Sequence, residues 1–394
     1  SALGIRAVQF GTAGDRTGPL VPWQWDGQRR WCERLSSMGI LVVAGTGNCP
    51  GSFMPASLAP SALAVGGIEL PLEPGGGMRA FHSPEGTTFE GKPVPDCRAP
   101  AERVVVPSTQ PLETSGLAGV PSGHIVQEGI AFAESSVLGM LACVWQRRPE
   151  LDLWKTRAAL AQAARSPSAR LGDLKVSMPT WDAIEEAIKS TGHVPALAPT
   201  PYERYERVQQ MSWCERLELI RSHPDQTAEV LLNSLPDRLP AEHAAELVAC
   251  YERAADPRVR SAAVLLLAPL EEETRADHPL LDRALLDNSS LVLGCALEAI
   301  RRCPALARRR ERHVASLINY PDARVRYQAC LVAEAAPQDF YVRSLVQGMR
   351  KELDEGNLIG FFARRRCLEH MTRQDHTPEV RKMLPGECVY SDYL

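Results

Sequence analysis

The chain has 394 residues, 44% hydrophobic and 23% charged, with a formal net charge of −4, which is enough for two or three domains with real cores. That charge balance excludes nucleic-acid binding by bulk electrostatics, and no apolar run is long enough to cross a membrane as a helix. The 11 cysteines are odd in number, with no C-x-x-C pair and no Cys/His cluster at zinc spacing, so a reducing compartment is expected, with no metal, cofactor or disulfide framework.

The N-terminal stretch Ser1 to Phe10 lacks the charged and then apolar segments of an export signal. It reads as a buried strand, and a cytoplasmic location is expected. Residues 24–38 carry apolar positions at helical spacing. Short apolar runs at Ile40–Ala44, Ala62–Val65 and Arg103–Val106 suit buried parallel strands. Further helices are predicted over 132–148 and 153–164. Strands interleaved with helices predict an α/β fold with a parallel sheet. Of the 28 glycines, 23 precede residue 200, so the tight turns belong to this part. The glycine-rich loop Gly67 to Arg79 reads as a surface turn, and Gly75–Gly77 lacks the lysine of a phosphate-binding loop.

The proline-rich stretch His193 to Pro201 predicts a linker, dividing the chain at 1–190, 191–203 and 204–394. Beyond it the pattern is helical. Asp256-Pro-Arg-Val-Arg260, Asn288-Ser-Ser-Leu-Val292 and Asp322-Ala-Arg-Val-Arg326 open three apolar helices, at spacings of 32 and 34 residues. A period in the thirties predicts stacked helix pairs, an all-α solenoid, with the aspartate capping its helix and the valine in the core. This D-x-x-V-R start resembles HEAT-like repeats. Arg308–Arg310 reads as a solvated helix face.

Three segments, in order, resemble the subtilisin-like serine proteases. Ile40-Leu-Val-Val-Ala-Gly-Thr-Gly-Asn48, with Met54–Pro60 and Ala62-Leu-Ala-Val-Gly66, is similar to the family's strand ending in an A-G-N-like turn and the loop and strand that follow. Phe81-His-Ser and Cys97-Arg-Ala-Pro100 are similar to its F-S-S and A-P-G elements. Gly129-Ile-Ala-Phe-Ala-Glu-Ser-Ser-Val-Leu-Gly139 stands where the family has G-T-S-M-A-x-P-H-V-A-G. The match spans about residues 4–165 and departs from the pattern at Ile130, Ser135 and Ser136.

The resemblance implies that Asn48 donates to the oxyanion of acyl transfer, that Gly129 allows a tight helix entry, and that Ala131 occupies the nucleophile's place. It implies that Gln9, Phe10 and Gly11, with Ala44, Gly45, Thr46, Gly47 and Gly129, line the peptide-binding cleft. Ser135 and Ser136 lie about 6 Å or more further along the helix and are not expected to substitute as nucleophiles. The family's histidine and aspartate precede the matched segments, and His82 and His124 are read as loop residues. Two readings follow. One is a regulated intracellular endopeptidase whose histidine and aspartate come from an N-terminal piece held as a separate chain. Its helical repeats bind a protein partner or substrate, and Ala131 is an engineered replacement. The other is a non-catalytic adaptor in which alanine is native. The otherwise matched site favours the first.

Overall fold

The computed structural model describes residues 4–11, 18–48, 53–69, 78–81, 83–107, 123–167, 174–190, 199–235, 237–274, 279–337, 339–354, 364–365 and 367–368. His82 and most of the expected loop and linker, including Gly75–Gly77, lie outside them. The chain divides into two compact units, 1–216 and 217–394.

The first unit contains strands β1 (Ala7–Gln9), β2 (Leu41–Gly45), β3 (Leu63–Glu69), β4 (Arg79–Ala80), β5 (Gly86–Thr87), β6 (Pro93–Val94), β7 (Cys97–Pro100), β8 (Val104–Pro107) and β9 (His124–Gln127). Its helices are α1 (Gly27–Ser37), α2 (Ile130–Arg147), α3 (Leu153–Ala163), α4 (Trp181–Ser190) and α5 (Pro201–Gln209). The main sheet runs β1-β2-β3 with β7 also on β3, all parallel, and β4 joins antiparallel. The α/β class and the parallel sheet read from the sequence are therefore present.

Every residue of β2 is buried because both of its faces are covered. Leu41 and Val43 pack with Ile130, Ala133, Val137 and Leu141 of α2. Val42 and Ala44, pointing the opposite way, pack with Cys32 of α1 and with Ala56, Ala59 and Ala62.

Three expectations are corrected. β1 is half-exposed at the sheet edge, since among the described strands only β2 flanks it. Val104–Pro107 is a strand, but it pairs antiparallel with β9 in a separate ribbon, and its residues alternate between half-buried and exposed. His124 begins β9 and so is not a loop residue. The fourth parallel strand is β7, which the sequence did not suggest as a strand. Its Arg98 is buried and donates to the Gly67 carbonyl at 2.8 Å.

Buried charge recurs in this unit, each group holding a loop. The Lys92 ammonium donates to the carbonyls of Ser57 (3.1 Å), Ala59 (2.9 Å) and Ala62 (2.7 Å) and pairs with Asp96 at 3.3 Å. Burial lowers its pKa to about 8 despite Asp96. Glu33 on α1 accepts from both the amide and the hydroxyl of Ser61 at 2.7 Å. Arg29 donates to the carbonyls of Val21 (2.7 Å) and Gly18 (3.0 Å). Loop backbone buried beside the sheet needs such partners, because its polar groups have no ladder to join.

Among the described residues from 213 onward the regular elements are helices: α6 (Trp213–Ser222), α7 (Thr227–Asn233), α8 (Ala244–Arg253), α9 (Pro257–Thr274), α10 (Pro279–Ala284), α11 (Ser290–Arg302), α12 (Pro304–Arg309), α13 (Glu311–Leu317), α14 (Ala323–Ala335) and α15 (Asp339–Asp354). The expected starts at 256, 288 and 322 open α9, α11 and α14, and α11 packs against both of the others.

The two Asp-x-Arg-Val-Arg segments make the same set of contacts. Asp256 and Asp322 accept from the amides of Arg258 and Arg324 at 2.8 and 2.9 Å and pair with the same arginines. Val259 and Val325 are buried. Arg260 donates backward to the carbonyls of Ala254 and Ala255 and forward to Asp287. Arg326 donates backward to Tyr320 and Pro321 and forward to Glu352. Each arginine thus fastens the preceding turn to a carboxylate 26 or 27 residues later. The middle start differs. Ser289 makes no side-chain cap, and its own amide donates to Asp287 at 2.8 Å. No helix among the described residues is long and apolar enough to cross a membrane.

Candidate active site

The site is built where β1 and β2 end and α2 begins. Gly129 is the N-cap of α2 with φ 141°, a conformation that disfavours any side chain, and it offers no capping group. Asn48, three residues past β2, supplies one. Its Oδ1 accepts from the Ile130 amide at 2.7 Å, satisfying one of the helix's orphan N–H groups. A backbone N–H can only donate, so the carboxamide oxygen is fixed on the helix and the Nδ2 hydrogens remain available to another acceptor.

Ala131 is exposed in the first helical turn, beside that carboxamide. Its carbonyl accepts from Gln9 Nε2 at 3.3 Å and from Ser135 Oγ at 2.9 Å, and the Ser135 hydroxyl also donates to Gln9 Oε1 at 3.3 Å. Ser136 bonds back to the Phe132 carbonyl at 2.9 Å. Both serines therefore spend their hydroxyl protons on local acceptors. Gln9, Asn48, Gly129 and Ala131 come together. The Phe10 ring packs instead on the α1 side of the sheet, with Val8 and Leu35.

β1 pairs with β2 only as far as the Phe10 amide, which donates to the Val43 carbonyl at 2.9 Å. β2 continues on its other side to the Thr46 amide, which donates to Val65 at 2.9 Å. Successive amides of a strand face alternate neighbours, so the Gly45 N–H points into the fork where β1 has left. Ala44, Gly45, Thr46 and Gly47 are all buried there, while Gly11 is exposed on the opposite prong.

Glu134 fills this fork, and the sequence reading passed over it. It lies on the buried face of α2 with Ile130, Ala133, Val137 and Leu141. Its Oε1 accepts from the Gly45 amide at 2.8 Å. A Cβ at position 45 would collide with that oxygen and with Ile130, which explains glycine here. The residue is fully buried, with Oε2 on the Gln9 and Gly11 side of the fork. Burial pushes the carboxyl up to about 7, against the opposing pull of the Gln9 carboxamide and the Gly45 amide. One signal could have found it: the spacing 130, 133, 134, 137, 141 puts an acid inside an apolar stripe.

No family model matches the chain, and no curated protein does. Among solved structures it is similar to fervidolysin from Fervidobacterium pennivorans, described as a keratinolytic enzyme related to subtilisin. The identity is 18%, the match covers 42% of this chain and 24% of that one, and the TM-score is 0.30. It is also similar to an S41 psychrophilic protease, at 17% identity over 40% of this chain and 49% of that one, with a TM-score of 0.29. The chain thus spans less than half of either protein. At these levels the likenesses bear on neither activity nor substrate.

Proposed function

We propose that this chain is the C-terminal part of a subtilisin-like serine endopeptidase, residues 1–190, joined through 191–203 to a HEAT-like repeat domain, 204–394. The observation that carries the reading is the Asn48 carboxamide, fixed by its oxygen to the start of α2 beside residue 131. An amide so held offers its N–H hydrogens to an oxyanion without reorganisation, and the helix N-terminus adds favourable potential for negative charge. A serine at 131 would place its oxygen in that field. With alanine there, the chain binds peptide but cannot acylate.

The histidine and aspartate are assigned to an N-terminal segment that docks as a second polypeptide. Two exposed features support this. β1 is a sheet edge, able to pair with a further strand. α2 is apolar overall, yet it leaves Ala131, Ser135, Gly139, Ala142 and Cys143 exposed as a face of small residues, close enough in size for a second helix to pack. In this reading the protein acts in the cytoplasm, the substrate is a protein or peptide, and the repeats recruit a partner. Neither nucleic acid, membrane nor a cofactor takes part.

Fluorophosphonate labelling of the Ala131→Ser chain, co-expressed with the upstream segment, tests this. Labelling at residue 131 that is absent from the alanine form is expected. A folded complex that never labels would favour the adaptor reading, which Ala131 itself supports.

A further inference from the structure

A hollow of about 510 Å³ lies within the second unit, between α6, the start of α7, α8 and the turn from α8 into α9. Its volume falls in the range of about 300–1,000 Å³ that suits a small ligand or a few residues of peptide. Ile220, Pro224, Cys250, Ala254, Ala255 and Val259 give it apolar walls. The charged residues around it differ in how they are paired. Arg221 is held by Glu218 at 3.2 Å and by Glu246 at 2.9 Å, and Asp256 is held by Arg258 at 2.7 Å. The carbonyls of Ala254 and Ala255 already accept from Arg260. Arg253 is the exception. Its Nε donates to the Ala249 carbonyl at 3.1 Å, and its guanidinium also engages the Cys250 thiol. Neither partner is a carboxylate, and none among the described residues pairs with it.

We propose that this hollow binds the C-terminus of a partner polypeptide whose last side chain is aliphatic. The inference rests on the proposed role of the repeats in recruiting a partner. The terminal carboxylate meets the one lining cation that has no counter-ion, and it accepts from the Nη groups of Arg253 in the paired geometry a guanidinium favours. The aliphatic side chain displaces water from the walls formed by Ile220, Ala254 and Val259. A phosphate dianion is a poorer match, because Glu246 and Asp256 also line the hollow and only one cation is unspent. A free fatty acid is poorer as well. Those two carboxylates stay partly open, at 28% and 34% exposure, and can accept from the backbone N–H groups that precede a polypeptide's last residue. An acyl chain has no N–H to offer them.

The test uses the full chain and the fluorescein-labelled peptide Gly-Ser-Ala-Ala-Leu, made with a free carboxylate or with a carboxamide and titrated by anisotropy. The acid is expected to bind at least about tenfold tighter than the amide. Arg253→Gln, at an exposed side chain, should bring acid and amide together while leaving the amide's affinity unchanged. Ala255→Leu narrows the hollow without touching its charges and should weaken the acid by about tenfold. Equal binding of acid and amide, or a preference for the acid that survives in Arg253→Gln, overturns the proposal. Octanoate that displaces the acid peptide at equal concentration overturns it too, by making the site one for free aliphatic acids. Failure of both peptides to bind the folded chain also overturns it. A partner on another face of the repeats survives each of these failures, and fluorophosphonate labelling decides residue 131 separately.

Discussion

In the first unit, Lys92 and Glu33 both bind groups of the Ser57–Ala62 segment, Arg29 binds the carbonyls of Gly18 and Val21, and Arg98 binds the Gly67 carbonyl of β3, each by its own geometry. In the second, Arg260 and Arg326 carry out one operation twice, joining the turn behind to a carboxylate ahead. Two mid-helix glutamates repeat the contrast. Glu298 on α11 is fully buried and accepts from Arg301, Arg302 and Gln328 at 2.8 to 2.9 Å. Glu134 on α2 is equally buried, but its donors are neutral, the Gly45 amide and the Gln9 carboxamide. A buried carboxylate held by cations is compensated in charge; one held only by neutral amides keeps its proton to a higher pH.

If charge in the first unit holds loops, removing it should cost most there. Lys92→Met is expected to lose about 3–5 kcal/mol in urea unfolding, because three carbonyls and Asp96 lose their buried cation. A loss below about 1 kcal/mol would break the comparison. Glu134→Gln should act the other way. The folded chain holds the Glu134 proton more tightly than the unfolded chain, about 7 against 4.5. Its contribution is therefore most favourable below pH 4.5 and declines as pH rises to 7. At pH 8 the glutamine variant should be more stable by up to about 3 kcal/mol and should lack that slope. An unchanged pH profile would show that burial does not hold the Glu134 proton.

The two matching helix starts give smaller and paired effects. Arg326→Met should cost about 2 kcal/mol, moderated because Arg364 also reaches Glu352 at 3.2 Å. Arg260→Met should cost less, since Arg260 is the more exposed arginine, at 15% against 6%. Asp322→Ala and Asp256→Ala should each lose about 1 kcal/mol as helix caps. Unequal losses at the two aspartates would show that the matching contacts are not energetically equivalent.

What the sequence made legible follows the same division. The Asp-x-Arg-Val-Arg starts were readable because one pattern, repeated, has one local meaning: cap, core, link. β2 and α2 were readable because an apolar run and a helical stripe report burial directly. β7 was not. A strand containing Arg98 and ending at Pro100 looks like a loop until Gly67 and Glu85 are seen around the guanidinium. The pairing of Val104–Pro107 was hidden because its partner, β9, begins only at His124. At the site, Asn48, Gly129 and Ala131 stood out as a turn and a helix start. Glu134 lies outside the motif positions, and its signal is the one polar residue within the buried stripe of α2.

The forward-reaching arginines set where such a chain can be cut. Arg326 and Arg260 take their counter-ions 26 and 27 residues further on, so a break between either arginine and its acid would leave a charge without its partner on both sides. Glu352 is the most exacting of these acids, because Arg326 and Arg364 both depend on it.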